Sequence, residues 1–241
     1  MARFTGKKAL VVGAKEESIG QAVARALIAE GAQVCVWDID IESAKKAVGQ
    51  KAKFKKVNAL DFDACKRAAA ETLKELGGLD FIIPTVGGGH ACAFADYTAD
   101  FFKKELDFNA VTLFNCVFHF VPHFQEKGEG KMVFFTSATG GTPGLMGYEA
   151  GKAVVESLMK GFLTEIGGAK ININCVLPGI VPTTLTKGYF ASTGVDGDEM
   201  LAALGASNPR GLTSQDEVAK VVCWLLSPES DRLNQLVFLM G

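Results

Sequence analysis

The chain has 241 residues, 48% of them hydrophobic and 22% charged, and its 25 basic and 27 acidic side chains leave a net charge of −2. A chain of this length and hydrophobic content can bury a large core as one domain and is too apolar to be disordered. Its charge balance disfavours binding to nucleic acid or to an acidic membrane surface, so the expected ligand is a small molecule.

Short apolar runs alternate with amphipathic helical patterns along the chain. Strands are predicted at 9–13, 34–37, 55–58, 79–83, 132–136, 171–177 and 236–239, and helices at 19–30, 41–51, 63–76, 98–127, 148–166 and 214–226. This alternation predicts one α/β domain over residues 1–241. We expect a Rossmann-like, doubly wound parallel sheet of about seven strands with helices on both faces, in three α/β/α layers.

The least regular segment, 178–211, is rich in Gly, Thr and Ser and follows the carboxyl end of a predicted strand. Open α/β sheets bind ligands at that edge, so the segment is predicted to be a substrate lid. Its apolar side chains favour a hydrophobic substrate, although they can equally serve packing: Leu185, Tyr189, Phe190, Met200 and Leu201. Three basic residues in or beside the lid can meet a coenzyme A phosphate or be plain surface charges: Lys170, Lys187 and Arg210.

A loop joins the first strand to the first helix, with Gly13, Ser18, Ile19 and Gly20 at the junction. Glycine lets the backbone approach a pyrophosphate, and the helix N-terminus offers it unpaired N–H groups. Asp38 ends the second strand, where a carboxylate accepts hydrogen bonds from ribose hydroxyls and repels a 2′-phosphate. The combination favours a bound dinucleotide, NAD rather than NADP, over a solvated aspartate.

Tyr148 and Lys152 are four residues apart at the start of a predicted helix and therefore share one face. A phenol is a poor acid–base catalyst at neutral pH, and a lysine cation beside it lowers its pKa toward the working range. Ser137 ends the preceding strand, where its hydroxyl can hold a substrate carbonyl oxygen. For the tyrosine and lysine alone, two exposed side chains on a helix surface are the alternative interpretation.

Taken together and in this order, the motifs resemble those of the short-chain dehydrogenases/reductases along essentially the whole chain. Further positions that match are Asp61 and Phe62 after the third strand, Val86 and Gly87 after the fourth, Asn109 in the long helix, and Pro178, Gly179, Val181 and Thr183 after the sixth. The resemblance implies that the segment at 61–62 contacts adenine and that the one at 178–183 packs on the nicotinamide.

Catalytic roles follow from the same resemblance. Tyr148 would be the general acid/base, and Ser137 would orient and polarise the carbonyl. Lys152 would lower the pKa of the tyrosine and bind the nicotinamide ribose, and Asn109 would hold a water in a proton relay. The spacing from Tyr148 to Lys152 favours carbonyl/alcohol chemistry over enoyl reduction. The implied activity is an NAD(H)-dependent alcohol dehydrogenase or ketoreductase for a hydrophobic secondary alcohol or ketone, with a 3-hydroxyacyl thioester such as an acyl-CoA as one candidate.

Three departures from the family pattern leave an alternative open. The glycine loop is one residue longer, with Val12 for a threonine and Ser18 near the place of the middle glycine. Pro84 and Thr85 replace two asparagines, one of which ties the central strands together in relatives. The interval from Ser137 to Tyr148 is 11 residues, about two shorter than in many relatives. A catalytically silent subunit that stabilises an active paralogue, or a non-enzymatic dinucleotide sensor, therefore remains as an alternative to the enzyme.

The predicted helix at 98–127 is rich in phenylalanine, and core packing explains only part of the set at positions 108, 114, 118, 120 and 124. In the family this helix forms subunit contacts, so the resemblance implies a homotetramer built on 98–127 and 148–166, or a hetero-oligomer with a paralogous subunit. His119 and His123 on the same helix are expected to be structural rather than metal ligands.

The compartment is predicted from two absences in the sequence. No apolar run approaches the ~18 residues of a membrane span, and the N-terminal apolar stretch is shorter than a signal peptide requires. The six cysteines are widely spaced without a CxxC pair, which favours reduced, buried thiols. We therefore expect a cytoplasmic protein.

Overall fold

The computed structural model describes residues 2–137, 140–168, 170–235 and 237–240. Within them, parallel strands form one seven-stranded sheet in the order β3-β2-β1-β4-β5-β6-β7. The strands are β1 (Lys8–Val12), β2 (Gln33–Asp38), β3 (Lys53–Lys56), β4 (Phe81–Pro84), β5 (Glu129–Phe135), β6 (Lys170–Leu177) and β7 (Val237–Leu239). The predicted doubly wound parallel sheet is confirmed; Leu236, at the start of the last predicted strand, lies outside the described residues.

The helices connect the strands and so form the crossovers of the parallel sheet. They are α1 (Ile19–Ala29), α2 (Ile41–Val48), α3 (Phe62–Leu76), α4 (Ala99–Leu106), α5 (Thr112–Phe118), α6 (Val121–Lys127), α7 (Met146–Ile166), α8 (Thr184–Ser192), α9 (Gly197–Ser207) and α10 (Gln215–Leu226). A π-helical segment, Asp107–Val111, joins α4 to α5. Several helices have an N-cap residue whose side-chain oxygen accepts a backbone N–H of the first turn. At α10 this is a reciprocal capping box between Ser214 and Glu217.

Two hydrophobic cores lie on opposite faces of the sheet. Alternate residues of β1 show the division: Ala9 and Val11 face the core built with α1, α2 and α10, whereas Leu10 and Val12 face the core built with α3, α5 and α7. Strands β1, β2, β4, β5 and β6 are thus buried on both faces, which explains their nearly continuous apolar sequences, whereas the edge strand β3 is only partly buried. The three predicted layers follow directly from this arrangement.

The single helix predicted at 98–127 is wrong, because the structure divides it. A wider π turn at 107–111 separates α4 from α5, and the helix is interrupted again at 119–120 before α6. Pro122 lies in the first turn of α6, where its missing N–H leaves no helical bond unmade. The proline is therefore accommodated at the start of a new helix.

The lid segment is more regular than its sequence suggests. It contains α8 and α9, which begin at the side-chain caps Thr183 and Asp196. None of the residues of α8 is fully buried, so the helix carries no amphipathic pattern to predict it from.

Among the described residues, no helix is long and apolar enough to cross a membrane. All six cysteines are free thiols, and every one except the partly exposed Cys92 is buried. His119 and His123 bond backbone atoms, at Phe62 and Leu79 respectively. No group of three metal-ligating side chains occurs in the part of the chain that the structure describes.

Candidate active site

The predicted site residues gather at the carboxyl edge of the sheet. Gly13 follows β1, Asp38 ends β2, Val86 follows β4, Ser137 follows β5 and Pro178 follows β6. Neighbouring strands β1, β4, β5 and β6 are consecutive in the sheet, so the loops that follow them lie side by side. This is the edge at which doubly wound sheets bind ligands.

The glycine loop is compact because two of its glycines lie against each other. Gly13 has φ of +85°, and a Cβ atom on Gly20 would lie 1.9 Å from the carbonyl oxygen of Gly13. Ser18 caps α1, with its Oγ accepting the backbone N–H of Gln21 at 3.2 Å. The residue near the middle glycine's place is therefore the helix cap, and Ile19 opens the positive end of α1.

Thr85 makes the hydrogen bonds between central strands that the loss of the asparagine was expected to remove. Its backbone N–H donates to the carbonyl oxygen of Val12 at 2.8 Å. Its hydroxyl lies 2.8 Å from that same oxygen and 2.6 Å from the carbonyl oxygen of Gly13. The end of β1 is thus held to the end of β4 through a different side chain.

Asp38 is buried, with 6% of its surface exposed, and holds the glycine loop to β2. Its Oδ2 accepts the N–H of Ala14 at 2.7 Å, and its Oδ1 accepts that of Asp40 at 2.9 Å. A carboxylate oxygen can accept two hydrogen bonds, so capacity for a ribose hydroxyl remains. With the close glycine contact in the loop, these residues fit a dinucleotide.

Asp61 and Phe62 have local contacts that the sequence did not indicate. Asp61 caps α3, with its Oδ1 accepting the N–H of Ala64 at 2.8 Å. Phe62 is 41% exposed and lies in an aromatic cluster with Phe118 and with His119, whose ring centroid is 4.3 Å away. The predicted contact with adenine stays a prediction.

Ser137 and Tyr148 lie beside each other at the end of β5 and the start of α7. Burial raises the pKa of the Tyr148 phenol above its usual value, although the Ser137 hydroxyl lowers it in part and the Glu149 carboxylate raises it further. The shorter interval between the two residues therefore still brings them together.

Lys152 lies one turn along α7 and is 9% exposed. Its Nζ donates to the carbonyl oxygen of Phe135 at 3.1 Å, and burial lowers its pKa to about 8. Burial of the phenol dominates the pKa of Tyr148 here, and the Lys152 ammonium is directed to a backbone carbonyl. The predicted lowering of the pKa of Tyr148 by Lys152 stays a prediction.

Asn109 lies in the π-helical segment and binds the backbone beyond β4. Its Oδ1 accepts the N–H of Gly88 at 3.0 Å, and its Nδ2 donates to the carbonyl oxygens of Gly88 and Glu105 at 2.8 and 2.9 Å. Gly87 has φ of +145°, and a Cβ atom there would lie 2.8 Å from Asn109 Oδ1 and 3.0 Å from Lys152 Nζ. Asn109 and Lys152 therefore converge on one glycine.

The segment after β6 leads into the lid beside the glycine loop. Val181 is buried, and Thr183 caps α8 by accepting the N–H of Thr186 at 3.2 Å. The N–H of Thr184 donates to the carbonyl oxygen of Glu17 at 3.3 Å. Lys187 forms ion pairs with Glu17 and Asp198, at 3.4 and 3.1 Å, so its charge is engaged within the lid and loop.

A cavity of about 230 Å³ adjoins this segment. Gly179 and Ile180 line it after β6, and Leu204 and Leu212 contribute apolar surface from α9 and the loop that follows it. A larger cavity of about 340 Å³ lies at the opposite edge of the sheet, near Arg3 and Lys131, and is remote from the predicted site. The smaller cavity is the one placed to receive part of a substrate.

A glycine loop beside a serine–tyrosine pair, on the carboxyl edge of a doubly wound sheet, defines the class of dinucleotide-dependent oxidoreductases. The family model described as "Enoyl-(Acyl carrier protein) reductase" matches residues 13–237. The chain belongs to the short-chain dehydrogenase/reductase family, whose members are oxidoreductase enzymes that bind NAD or NADP.

Similar proteins extend over nearly the whole chain. Oxidoreductase UcpA of Salmonella typhimurium is 27% identical, over 97% of this chain and 92% of its own length. A 2-dehydro-3-deoxy-L-rhamnonate dehydrogenase (NAD(+)) of a Sphingomonas species is 29% identical, over 94% and 90%. The crystal structure of a dehydrogenase/reductase from Sinorhizobium meliloti superposes with a TM-score of 0.85 at 26% identity, covering 98% of this chain and 94% of the other.

Two residues in this site, Thr85 and Glu105, were missed by the sequence analysis. A threonine just after β4 only weakly indicates a contact between strands. Asking which side chain replaces the missing asparagine could have identified it. Glu105 gives no signal at all, because its sequence pattern is that of an ordinary helix surface.

Proposed function

We propose that the protein is an NAD(H)-dependent alcohol dehydrogenase or ketoreductase acting on a hydrophobic secondary alcohol or ketone. The observation that carries the proposal is the closeness of Ser137 to Tyr148, with Lys152 one turn along the same helix. The nicotinamide, when bound, gives or accepts the hydride. The protein's own residues have to orient the carbonyl and move one proton.

Ser137 and Tyr148 would share that work. The Ser137 hydroxyl donates a hydrogen bond to the substrate oxygen and so polarises the carbonyl or fixes the alcohol. The Tyr148 phenol gives its proton to that oxygen in reduction and takes it back in oxidation. Lys152, with its pKa lowered to about 8, can gain or lose a proton near neutral pH and thereby reprotonate the site. Asn109 holds the backbone at Gly88, beside this lysine.

The cofactor residues follow the same edge of the sheet. Gly13, Ser18, Ile19 and Gly20 would hold the pyrophosphate, Asp38 the adenosine ribose, and Asp61 and Phe62 the adenine, while Val86, Gly87, Pro178, Gly179, Val181 and Thr183 would line the nicotinamide side together with Tyr148 and Lys152. A buried carboxylate at the end of β2 favours NAD, because a 2′-phosphate would meet its negative charge. The relative from Sphingomonas, which carries NAD(+) in its name, supports this preference.

The substrate is proposed to be apolar because of what surrounds the site. Leu185 of α8 lies over Gly88, where a Cβ atom would be 2.4 Å from its Cδ1. Ile180 and Leu204 line the neighbouring cavity, with an apolar side chain on each wall. A 3-hydroxyacyl thioester, with an acyl chain for this cavity, is the first substrate to test. Turnover restricted to small polyols would contradict the apolar assignment.

The decisive experiment is a calorimetric titration of the purified chain with NADH, with NADPH as the control. Micromolar binding of NADH and weaker binding of NADPH are expected, followed by turnover of apolar ketones. Binding of neither dinucleotide would contradict the proposal and favour the silent-subunit alternative. The active paralogue would then be sought as a chain that copurifies with this protein. Binding without turnover of any carbonyl compound in a broad panel would favour the sensor.

A further inference from the structure

Glu105 is a buried carboxylate one helical turn before Asn109. It lies near the end of α4, and only 3% of its surface is exposed. A carboxylate removed from water needs hydrogen-bond donors to offset its lost hydration. The partners that it takes therefore indicate what the residue holds in place.

Two hydrogen bonds join this carboxylate to His90. Glu105 Oε2 accepts the backbone N–H of His90 at 3.2 Å, and Glu105 Oε1 lies 2.7 Å from His90 Nδ1. An ionised carboxylate can only accept, so Nδ1 carries the hydrogen in this contact. The imidazole is otherwise open to solvent, with 66% of the side chain exposed. The carboxylate thus binds both the backbone and the side chain of His90.

His90 directly follows Gly87–Gly89, a run of three glycines that crosses the candidate active site. A Cβ atom on the first would lie 2.8 Å from Asn109 Oδ1, and one on the third would lie 2.8 Å from Tyr148 Cγ. Real Cβ atoms do not approach so closely, so the backbone itself is in contact with these side chains. A shift of the glycine run would therefore displace the groups that carry out the proton transfer.

Glu105 also contacts the catalytic helix directly. Gly147 precedes Tyr148 in α7, and a Cβ atom on Gly147 would lie 2.8 Å from Glu105 Cβ. The carbonyl oxygen of Glu105 accepts a hydrogen bond from Asn109 Nδ2 at 2.9 Å. Glu105 thus contacts His90 through its carboxylate, Asn109 through its carbonyl oxygen and Gly147 through its Cβ atom.

We infer that Glu105 is a positioning residue, which acts through His90 to hold Gly87–Gly89 against the side chains of Asn109 and Tyr148. It touches neither substrate nor cofactor and acts only through these neighbours. The inference rests on the proposed function where turnover is measured, and one of its tests is independent of turnover.

The first test compares Glu105→Ala with Glu105→Gln in steady-state kinetics, with kcat expressed per folded protomer. The glutamine can still accept the backbone N–H and bond the ring, so kcat stays within about threefold of the parent. Loss of both bonds in the alanine variant lowers kcat by about 10- to 100-fold, because small misplacements of reacting groups have effects of that size. The dissociation constant for NADH changes much less than kcat does.

The matched control is Thr72→Val in α3. Thr72 is also buried, and its hydroxyl accepts the indole N–H of Trp37 at 3.0 Å, away from the catalytic side chains. This substitution lowers stability without changing kcat per folded protomer. An alanine variant at Glu105 that loses no more kcat than the threonine control would overturn the inference.

A second pair of variants avoids any failure to fold, because the imidazole of His90 is exposed. His90→Ala removes the ring contact and keeps the backbone one, so kcat falls by about three- to tenfold. His90→Asn restores kcat to within about twofold, since its amide Nδ2 takes the place of Nδ1. Equal kcat values for the parent and both variants would refute the role of the histidine.

Hydrogen exchange of the backbone amides at 86–91 supplies the readout that needs no substrate. Exchange there accelerates by about tenfold in Glu105→Ala and His90→Ala, while Thr72→Val leaves it unchanged. If the parent protein turns over no carbonyl compound, the proposed function fails while this test still stands. Unchanged exchange in both variants would show that Glu105 does not hold the glycine run.

Discussion

The hydroxyl of Thr85 lies 2.6 Å from the carbonyl oxygen of Gly13, and this contact joins the end of β4 to the glycine loop. The same hydroxyl lies 2.8 Å from the carbonyl oxygen of Val12. A Cβ atom on Gly20 would come within 2.5 Å of the Thr85 Oγ1, so the hydroxyl also sets how closely α1 approaches the sheet. A departure from the family pattern that suggested a damaged site is thus a different solution to the same structural need.

Thr85→Val tests this tie because it keeps the shape of the side chain and removes the hydroxyl. The hydroxyl hydrogen that is shared between the carbonyl oxygens of Val12 and Gly13 is lost, so the free energy of unfolding falls by about 1–3 kcal/mol. The loop is also less well held, so the dissociation constant for NADH rises by several fold. Thr85→Ser keeps the hydroxyl and serves as the control in urea unfolding and calorimetry. If both variants bind NADH equally well, the hydroxyl does not organise the loop.

Tyr148→Phe separates chemistry from binding. The variant loses the proton donor and keeps the ring, so kcat falls by about 1,000-fold or more, while the dissociation constant for NADH changes little. Stopped assays at high enzyme concentration measure the residual rate, and calorimetry measures the binding. Glu149→Gln, one residue along, removes a carboxylate that raises the pKa of Tyr148 but keeps the phenol, so it should retain turnover and is the control. Normal turnover by the phenylalanine variant would exclude Tyr148 as the acid/base.

Lys152 gives a prediction about stability and pH. Its folded-state pKa of about 8 lies below the ordinary 10.5, so the unfolded chain binds more protons between these two values. Stability contributed at this position therefore rises with pH from about 8 to about 10.5, and below pH 8 the cost of burying the charge is fully present.

Unfolding free energies of the parent and of Lys152→Met, measured from pH 7 to 10.5, isolate this contribution. The advantage of the methionine variant shrinks as pH rises, by about 1–3 kcal/mol over the range, while titrations elsewhere in the chain cancel in the difference. A difference that is constant with pH would mean that Lys152 has an ordinary pKa in the folded protein.

Sequence patterns predicted the architecture because the inner strands of this sheet are buried on both faces and the helices that cover them carry apolar stripes. The same reasoning failed at α8, which has no fully buried residue and so no stripe. It also missed the π turn around Asn109, because π turns are rare and one regular helix was assumed across the whole segment.

The candidate site shows a similar division. Tyr148 and Lys152 could be paired from sequence because their relationship is local, within one helical turn. Glu105 and His90 are 15 residues apart and meet only because α4 folds back over the glycine run. Likewise, the influence of burial on the pKa of Tyr148 depends on neighbours from several elements, which no spacing rule contains.

The tetramer expected from the resemblance predicts which apolar side chains become covered. Phe118 of α5 is 42% exposed and Val154 of α7 is 37% exposed, on the helices assigned to the subunit contact. Light scattering should give the mass of four chains, and Phe118→Glu should shift it toward smaller species. Phe94→Glu, at a side chain that is 84% exposed in a turn outside these helices, should leave the mass unchanged. A monomeric parent protein at micromolar concentration would contradict the tetramer.

Asp38 allows two roles to be distinguished in one experiment. Its carboxylate holds the N–H of Ala14 at 2.7 Å, so Asp38→Ala must loosen the glycine loop whatever cofactor binds there. If Asp38 only anchors the loop, Asp38→Ala would weaken the binding of NADH and of NADPH to the same degree. A carboxylate that also accepts ribose hydroxyls and repels a 2′-phosphate predicts an unequal result, in which NADH loses about tenfold or more in affinity and NADPH loses less or gains.

Asp38→Asn is the matched variant, because its amide oxygen can keep the bond to Ala14 while the negative charge is gone. With the loop held, the preference for NADH over NADPH should still fall, since the repulsion of a 2′-phosphate depends on the charge. Calorimetric titrations of the parent and both variants with each dinucleotide give the ratio directly. An unaltered ratio in the asparagine variant would assign the choice of cofactor to another residue and leave Asp38 as the anchor of the loop.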